Sequence, residues 1–434
     1  LFFDVLRRYL QFRGHRVTYV RNVTDIDDRS IARGIETGEG WRTIIAGHFA
    51  SFKASMHRLG VGEPDVEPRA TEFIEPIVSM IGELVAGGFA YATDDGVYFA
   101  VKQFPRYGAL AHRNVDELLS GARIAVDEHK RDALDFALWK FAKPGEPSWE
   151  SPWGAGRPGW HIECSAMSRA ILGEPFDIHG GGFDLVFPHH ENEIAQSEAL
   201  LPQPPMANVW MHGGLLMFDG RKMSKSLGNF EPLSALLERH DPQAIRLLFL
   251  QTGYRKPMNF TEDAIGGATT ALDRLRKAYA KLTDAAASAD AAVLADFERR
   301  FFAALDDDMN TAGALGVLFE AAADPRVRGA DAVAFFDTAQ HLFGIPGAFA
   351  ALPAETIAVF DDAFVARLAQ ALGEAVHLNG HTPEAAIQTV IDARNAARAS
   401  RDFKLADRLR QVLGSLRIVL TDNKDGTTTW SFEG

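Results

Sequence analysis

Cys164, His189 and Glu193 are the residues of this sequence whose types most directly imply chemistry. Thiolate sulfur, imidazole nitrogen and carboxylate oxygen form a borderline-soft donor set that Zn²⁺ accepts in tetrahedral geometry, and three protein ligands leave one position open. They lie in the stretch from Trp160 to Glu193, which opens Trp160-His161-Ile162-Glu163-Cys164, passes through Gly180-Gly181-Gly182 and closes Phe187-Pro188-His189-His190-Glu191-Asn192-Glu193. A helix opened by the fixed φ of Pro188 puts His189 and Glu193 one turn apart on a single face. A plainer reading takes the only cysteine as a small buried hydrophobe, and His189 with Glu193 as a solvated helical pair. A metalloprotease H-E-x-x-H site is excluded, because no second histidine follows His190-Glu191 at the required position.

Two further stretches carry polar groups suited to ligands. The turn Asp219-Gly220 leads into Arg221-Lys222-Met223-Ser224-Lys225-Ser226-Leu227-Gly228-Asn229, where Lys222 and Lys225 on a glycine-flanked loop suit the task of meeting phosphates as charge develops on them. Two lysines alone would equally make a solvated basic loop. In Arg21 to Asp28, Thr24 and Asp25 follow a short strand and could hydrogen-bond an amine or hydroxyl, or serve an Asx-type cap of the next helix.

The elements that must position these residues read as α/β. Leu1, Val5, Leu6 and Tyr9 form an apolar helical stripe, Gly14 ends that helix, and Val17 to Val20 reads as a strand. A helix followed by a strand implies that a further strand precedes the first residue. Thr43 to Leu59 is helical and Gly60 closes it. Residues 64 to 140 read as an insertion, with a helix over Ile74 to Ala86 and a hairpin over Tyr91 to Val101 turning at Asp94-Asp95-Gly96. Pro144 to Pro158 is an ordered loop. Phe176 to His179 is a strand ending in three glycines, where a planar ligand or phosphate can approach the backbone and Asp184 could accept from a ribose. Val209 to Met211 and Leu215 to Phe218 are further strands.

The 434 residues exceed what one core serves, so two or three domains are expected. A single cysteine excludes intramolecular disulfides and fits a reducing cytoplasm, and no apolar run is long enough to span a bilayer. A net charge of -13 argues against indiscriminate nucleic-acid binding, so a nucleic-acid partner needs a local basic patch. The C-terminal half supplies one. Asp241-Pro242 starts a helical region, Tyr254-Arg255-Lys256-Pro257 brings cations toward the lysine loop, and Thr283 to Ala292 is a connector. Phe297 to Ala323 and Asp331 to Phe343 read as a bundle, Asn379-Gly380 breaks the chain, and Thr382-Pro383 restarts it. Between residues 391 and 410, Arg394, Arg398, Arg401, Lys404, Arg408 and Arg410 face only Asp392, Asp402 and Asp407, a local excess of cations on an acidic protein.

The string Lys222-Met223-Ser224-Lys225-Ser226 resembles the KMSKS motif of class I aminoacyl-tRNA synthetases. Taken with Trp160-His161-Ile162-Glu163-Cys164 and Pro188-His189-His190-Glu191-Asn192-Glu193, the chain resembles the cysteinyl branch of that family over essentially its whole length. The resemblance implies a Rossmann-like catalytic domain over 1–229 with its insertion, a stem-contact region and helical bundle over 230–380, and a small anticodon-binding domain over 381–434. It implies Cys164, His189 and Glu193 as zinc ligands, and Thr24 and Trp160 as lining a cysteine pocket. It further implies Gly182 and Asp184 at the adenosine, Lys225 at ATP and anticodon recognition by the terminal domain, so that Lys222 is expected beside Lys225 at the phosphates of ATP with its Mg²⁺, and Arg394, Arg398 and Arg401 of the basic run are expected to meet tRNA(Cys). The family's HIGH motif and a fourth zinc ligand, a cysteine, precede the helix at which this sequence begins, so weak adenylate formation by the chain as written is expected. A cytoplasmic monomer is also expected. Two rival readings are a ligase that couples cysteine to an amino sugar-inositol and a non-catalytic zinc- or tRNA-binding fragment.

Overall fold

The computed structural model describes residues 1–112, 129–218, 220–222, 231–282, 288–345, 347–349, 362–373, 376, 378, 383–400, 402–416, 418–422 and 428–432. Two compact units, Leu1–Phe349 and Ala350–Gly434, divide the chain.

In the first unit, α1 (Phe2–Phe12) buries Asp4, Val5, Leu6 and Tyr9 on one face. The segment after it is extended, but Val17 to Val20 does not form the expected strand. Only isolated parallel bridges join Val20 to Val66 and Val23 to Arg69. Tyr19, Arg21 and Val23 exchange backbone hydrogen bonds with residues 65–70, but a ladder needs successive paired residues, and the other edge lines a cavity of about 790 Å³ shared with residues 176–180. Helices α2 (Asp28–Thr37) and α3 (Trp41–Arg58) follow, then α4 (Ile74–Ala86) at the expected bounds.

The hairpin forms as expected from β1 (Ala90–Ala92) and β2 (Gly96–Phe99), and the antiparallel sheet continues through β3 (Phe136–Phe141) and β4 (Gly156–Pro158). Its residues do more than fill an insertion. Ile77, Ile81 and Leu84 of α4, with Phe99, Leu138 and Trp139 of the sheet, share one core with Ile162 of α5 (Trp160–Leu172) and with Ile194 and Ala195 of α6 (Glu191–Glu198). Each such side chain contributes about 1.5–3 kcal/mol when fully buried, so this core holds in place the two helices that carry Cys164 and Glu193. The entry to α5 is fixed by a close approach: a Cβ on Gly159 would stand 2.0 Å from the Ala137 carbonyl oxygen.

Parallel strands β5 (Phe176–Gly182) and β6 (Ala207–Gly213) pair from Phe176 with Ala207 to Gly182 with Gly213. Next, β7 (Leu216–Phe218) pairs antiparallel with β8 (Arg221–Lys222) and parallel with β9 (Met258–Phe260). The helical part comprises α7 (Leu233–Arg239), α8 (Pro242–Leu250), α9 (Glu262–Leu282), α10 (Ala291–Asp306), α11 (Thr311–Ala323) and α12 (Gly329–Phe343). Asp241 caps α8 by accepting from Gln243 N, as Asp-Pro foretold. The α/β class and the helical region are therefore those expected.

The second unit contains α13 (Asp362–Leu372), α14 (Pro383–Ala399), α15 (Phe403–Ser415) and the antiparallel pair β10 (Ile418–Asp422) and β11 (Thr428–Phe432). Leu368, Ile387, Val390, Ile391, Leu409, Leu413 and Ile418 make its core. Asn379-Gly380, Thr382, Gly426-Thr427 and residues 283–287 of the connector lie outside the described residues.

One buried ion pair organises the first unit. Arg246 on α8 is fully buried; it binds the carboxylate of Asp4 on α1 and donates to the carbonyls of Leu59 (3.0 Å) and Phe343 (2.6 Å). Burial opposes ionisation of Asp4, but the Arg246 guanidinium outweighs it and lowers the carboxyl pKa. Asp4→Asn should cost about 3–5 kcal/mol by leaving a buried charge uncompensated, whereas the pair Asp4→Leu with Arg246→Met should recover most of that loss. Urea unfolding followed by tryptophan fluorescence measures it, since six of the seven tryptophans precede residue 350. Because the folded pKa is depressed, the contribution is full above the ordinary carboxylate range and fades as pH falls toward the lowered value. A loss below about 1 kcal/mol for Asp4→Asn would show that the pair is incidental.

Candidate functional site

Three elements converge on Glu193. Cys164 leaves the first turn of α5, Glu193 the first turn of α6, and His189 the kinked turn Val186–His190 before α6. Pro188 therefore does not open the helix; Phe187 interrupts the helical path with φ -138° and ψ 132°, and α6 begins at Glu191. The expected spacing nevertheless holds, because His189 and His190 already have helical dihedrals, and His189 Nε2 stands 3.9 Å from Glu193 Oε1. One donor atom from each of Cys164, His189 and Glu193 lies within 4.8 Å of the others.

The electrostatics suit a cation. Glu193 is wholly buried, and Oε1 has no hydrogen-bond partner among the described residues. Burial disfavours its charge, but His179, through its field and a 2.8 Å hydrogen bond to Oε2, outweighs burial and keeps the pKa well below the carboxylate range. Burial lowers the pKa of His189, leaving the neutral imidazole that can ligate, and His161 engages its Nδ1 at 3.0 Å so that Nε2 faces the carboxylate. Burial, then the carboxylates of Glu193 and Glu163, push the Cys164 thiol up, which favours its protonated form. A bound cation would reverse that balance. An unpartnered buried oxygen beside a thiol and a neutral imidazole is a donor set that fits Zn²⁺. The plainer reading of Cys164 as an inert hydrophobe leaves the Glu193 oxygen unexplained.

Sequence reasoning missed most of the histidines around this centre. His190 and His179 could also share Glu193, with His190 Nε2 3.8 Å from its Oε2. His190 Nδ1 is 2.8 Å from His212 Nε2 on β6, and burial brings the His190 pKa down to about 3. A Cβ on Gly181 would meet His190 at 2.8 Å, so the second glycine of the run is required by packing against that ring. The available signal was density: His161, His179, His189, His190 and His212 are five of the fourteen histidines, within fifty-odd residues.

Around the centre, Trp160 is 46% exposed and stacks on His189 with ring centroids 4.3 Å apart. Thr24 is half-buried and takes no part in capping. Asp27 caps α2 instead, accepting from Arg29 N and Ser30 N, while Asp25 accepts from Thr71 N and Oγ1. Gly182 and Asp184 are brought together at the end of β5, where a Cβ on Gly182 would lie 2.6 Å from Asp184 Oδ1. Lys222 ends β8 opposite Met217; Lys225, with Asp219 and the rest of its loop over 223–229, lies outside the described residues. Arg255 does not reach out as a spare cation, because Asp308 holds it through contacts of 2.6 and 2.9 Å.

In the second unit, Arg398, Lys404, Arg408 and Arg410 are exposed, as is Phe403 at 61%. Arg394 corrects the expected basic face. It is 3% exposed and within hydrogen-bond distance of Asn395, since its position on α14 falls on the side that packs inward with Ile387 and Ile391. Arg401 lies outside the described residues.

Residues 1–270 match the tRNA synthetases class I (C) catalytic domain, and residues 300–328 match the DALR domain. The chain is 47% identical to the cysteine--tRNA ligase of Stutzerimonas stutzeri over 429 residues, covering 98% of this chain and 89% of that one. It is 45% identical to the cysteine--tRNA ligase of Chromohalobacter salexigens, covering 100% and 90%. Among solved structures, the Mycobacterium tuberculosis methionyl-tRNA synthetase in complex with methionyl-adenylate superposes with a TM-score of 0.54 at 13% identity, over 94% of this chain and 88% of that one, which is a likeness of fold. On its matched catalytic domain and its full-length relatives, the chain belongs to the class I tRNA synthetases, in the family of the cysteine--tRNA ligases.

Proposed function

We propose that this chain attaches cysteine to tRNA(Cys) in two steps. The carboxylate of cysteine attacks the α-phosphate of ATP, giving cysteinyl-adenylate and pyrophosphate, and the terminal ribose hydroxyl of the tRNA then takes the acyl group. The observation that carries this reading is the convergence of Cys164, His189 and Glu193 beneath Trp160, with one carboxylate oxygen unpartnered among the described residues. Zinc held there would favour a substrate thiolate far more than an alcohol, a distinction between cysteine and serine that shape alone cannot make.

The chain's own residues do the remaining work by position and charge. Trp160 and Thr24 line the amino-acid pocket, and the indole over His189 excludes water from it. Gly182 lets the adenosine approach the end of β5, where Asp184 accepts from its ribose. Lys222 and Lys225 meet the phosphates of ATP and its Mg²⁺ as charge moves to the leaving pyrophosphate. Exposed Arg398, Lys404 and Arg408, with Phe403 offering a ring on which a base can stack, present the second unit to the anticodon. Acceptance of a tRNA, rather than an amino sugar-inositol, is supported by relatives that match 98% of the chain, well into residues 381–434. A reducing cytoplasm would keep Cys164 available as a ligand.

Cysteine-dependent ATP-pyrophosphate exchange tests the first step. Cys164→Ser and Glu193→Gln should each lower retained zinc and reduce exchange by about 100-fold or more, since even outer partners of a metal cost about 10- to 100-fold. A variant with full zinc content and unchanged preference for cysteine over serine would remove the basis of the reading.

Filter binding tests the second unit. Replacing Arg398, Lys404 and Arg408 by glutamine should weaken tRNA affinity and reduce the slope of log K against log salt by roughly 1 for each phosphate that is no longer neutralised, leaving cysteine activation unchanged. Unchanged affinity at every salt concentration would return these residues to an ordinary solvated face.

A further inference from the structure

Glu163 is a buried carboxylate next to Cys164 in the candidate centre. It sits in the first turn of α5 between Ile162, which is wholly buried, and Cys164, and is itself 1% exposed. Its Oε2 is buried without a hydrogen-bond partner among the described residues. The charged groups in whose field it lies are the carboxylates of Asp25 and Asp27. Those two are satisfied by their own donors: Thr71 N and Oγ1 for Asp25, and Arg29 N, Ser30 N and Ser30 Oγ for Asp27. Lys140 and Arg157, on the strands before α5, are turned to Asp28, at 2.8 and 2.6 Å. An isolated buried carboxyl facing other carboxylates costs several kcal/mol unless a cation or donor completes it.

Adjacent helical residues leave the axis about 100° apart. Cys164 turns toward His189 and Glu193, while Glu163, one turn after Trp160, turns toward the loop that carries Thr24 to Asp27. From this placement we infer that Glu163 is a positioning and specificity residue for the amino-acid substrate, receiving its α-ammonium group while the thiol sits among Cys164, His189 and Glu193. The ammonium of cysteine is two carbons from its sulfur, so one small ligand can reach both sides of the first turn of α5. This inference rests on the reading of the site as a cysteine pocket. It adds a second selection: the centre chooses the thiol, and Glu163 chooses a thiol that also carries an amine. Thiol acids without the amine leave the carboxyl uncompensated and bind weakly.

The test compares cysteine with 3-mercaptopropionate, which keeps thiol and carboxylate but lacks the amine, on the zinc-loaded full chain by titration calorimetry. Zinc content is measured for every protein used. Glu163→Gln should weaken cysteine by about 10- to 100-fold, the worth of a charged hydrogen bond, and leave 3-mercaptopropionate within about 2-fold, with zinc content unchanged. Glu163→Asp keeps the charge on a shorter stem; it should weaken cysteine alone and by less, and it serves as the test if Glu163→Gln does not fold. Equal losses for both thiols, or a fall in zinc content, would make Glu163 a structural support of α5 and overturn the inference. Unchanged cysteine affinity would overturn it too. Failure of the unaltered, zinc-loaded chain to bind either thiol would instead overturn the cysteine-pocket reading, and the inference with it.

Discussion

The first unit depends on the placement of one guanidinium. Arg246 lies where four separate pieces of chain meet, and it is bonded to a carboxylate on α1, to the carbonyl of the residue that caps α3, Leu59, and to the last carbonyl of α12. Carbonyls at helix ends have no partner within their own helix, so a buried donor that satisfies two of them fixes where those helices stop. Gly344 shows how closely this is packed: its φ is +69°, and a Cβ there would stand 2.1 Å from the guanidinium. Through Asp4 the same contact orients α1, whose Phe3 ring lies 2.3 Å from where a Cβ on Gly180 would be. The glycine of β5 and the arginine of α8 are thus two ends of one arrangement that brings α1 down onto the strand leading to the site.

The second arrangement is the shared core between the inserted sheet and helices α5 and α6. A sequence reading divides these residues into an insertion without chemistry and a motif with it. Packing joins them, since Trp139 and Leu138 of β3 are as deeply buried as Ile162 of α5. Glu191 and Asn192 extend the connection in polar terms. The Glu191 carboxylate accepts from Gly108 N at 2.8 Å and Ala111 N at 3.0 Å, and Asn192 accepts from Tyr107 at 2.5 Å. These polar residues between His189 and Glu193 therefore tie the motif to the inserted region rather than facing a ligand.

Much of the fold was legible because it follows local rules. The α4 bounds, the Asp94-Asp95-Gly96 turn and the Asp241 cap are each set by residues within a few positions. What was not legible depends on groups distant in sequence. Val17 to Val20 has the composition of a strand, but pairing is decided by neighbours, and within that run only Val20 is bridged, to Val66. Arg394 is written among cations, yet its helical phase relative to Ile387 and Ile391 turns it inward. The three metal-type residues could be named from their chemistry. The ring of histidines around Glu193 could not, because His179 and His212 are brought there by two parallel strands whose pairing no local pattern announces.

The two oxygens of Glu193 have different allegiances: Oε2 is committed to His179, and Oε1 has no hydrogen-bond partner among the described residues. A carboxylate that must first release an internal bond before accepting a new partner presents a barrier to loading. Here the rotamer is already set by one oxygen while the other waits, so arrival of a cation requires no bond to be surrendered and little entropy to be lost. The division of labour within a single side chain therefore bears on how quickly the centre can be filled, a kinetic property separate from how tightly it holds what fills it.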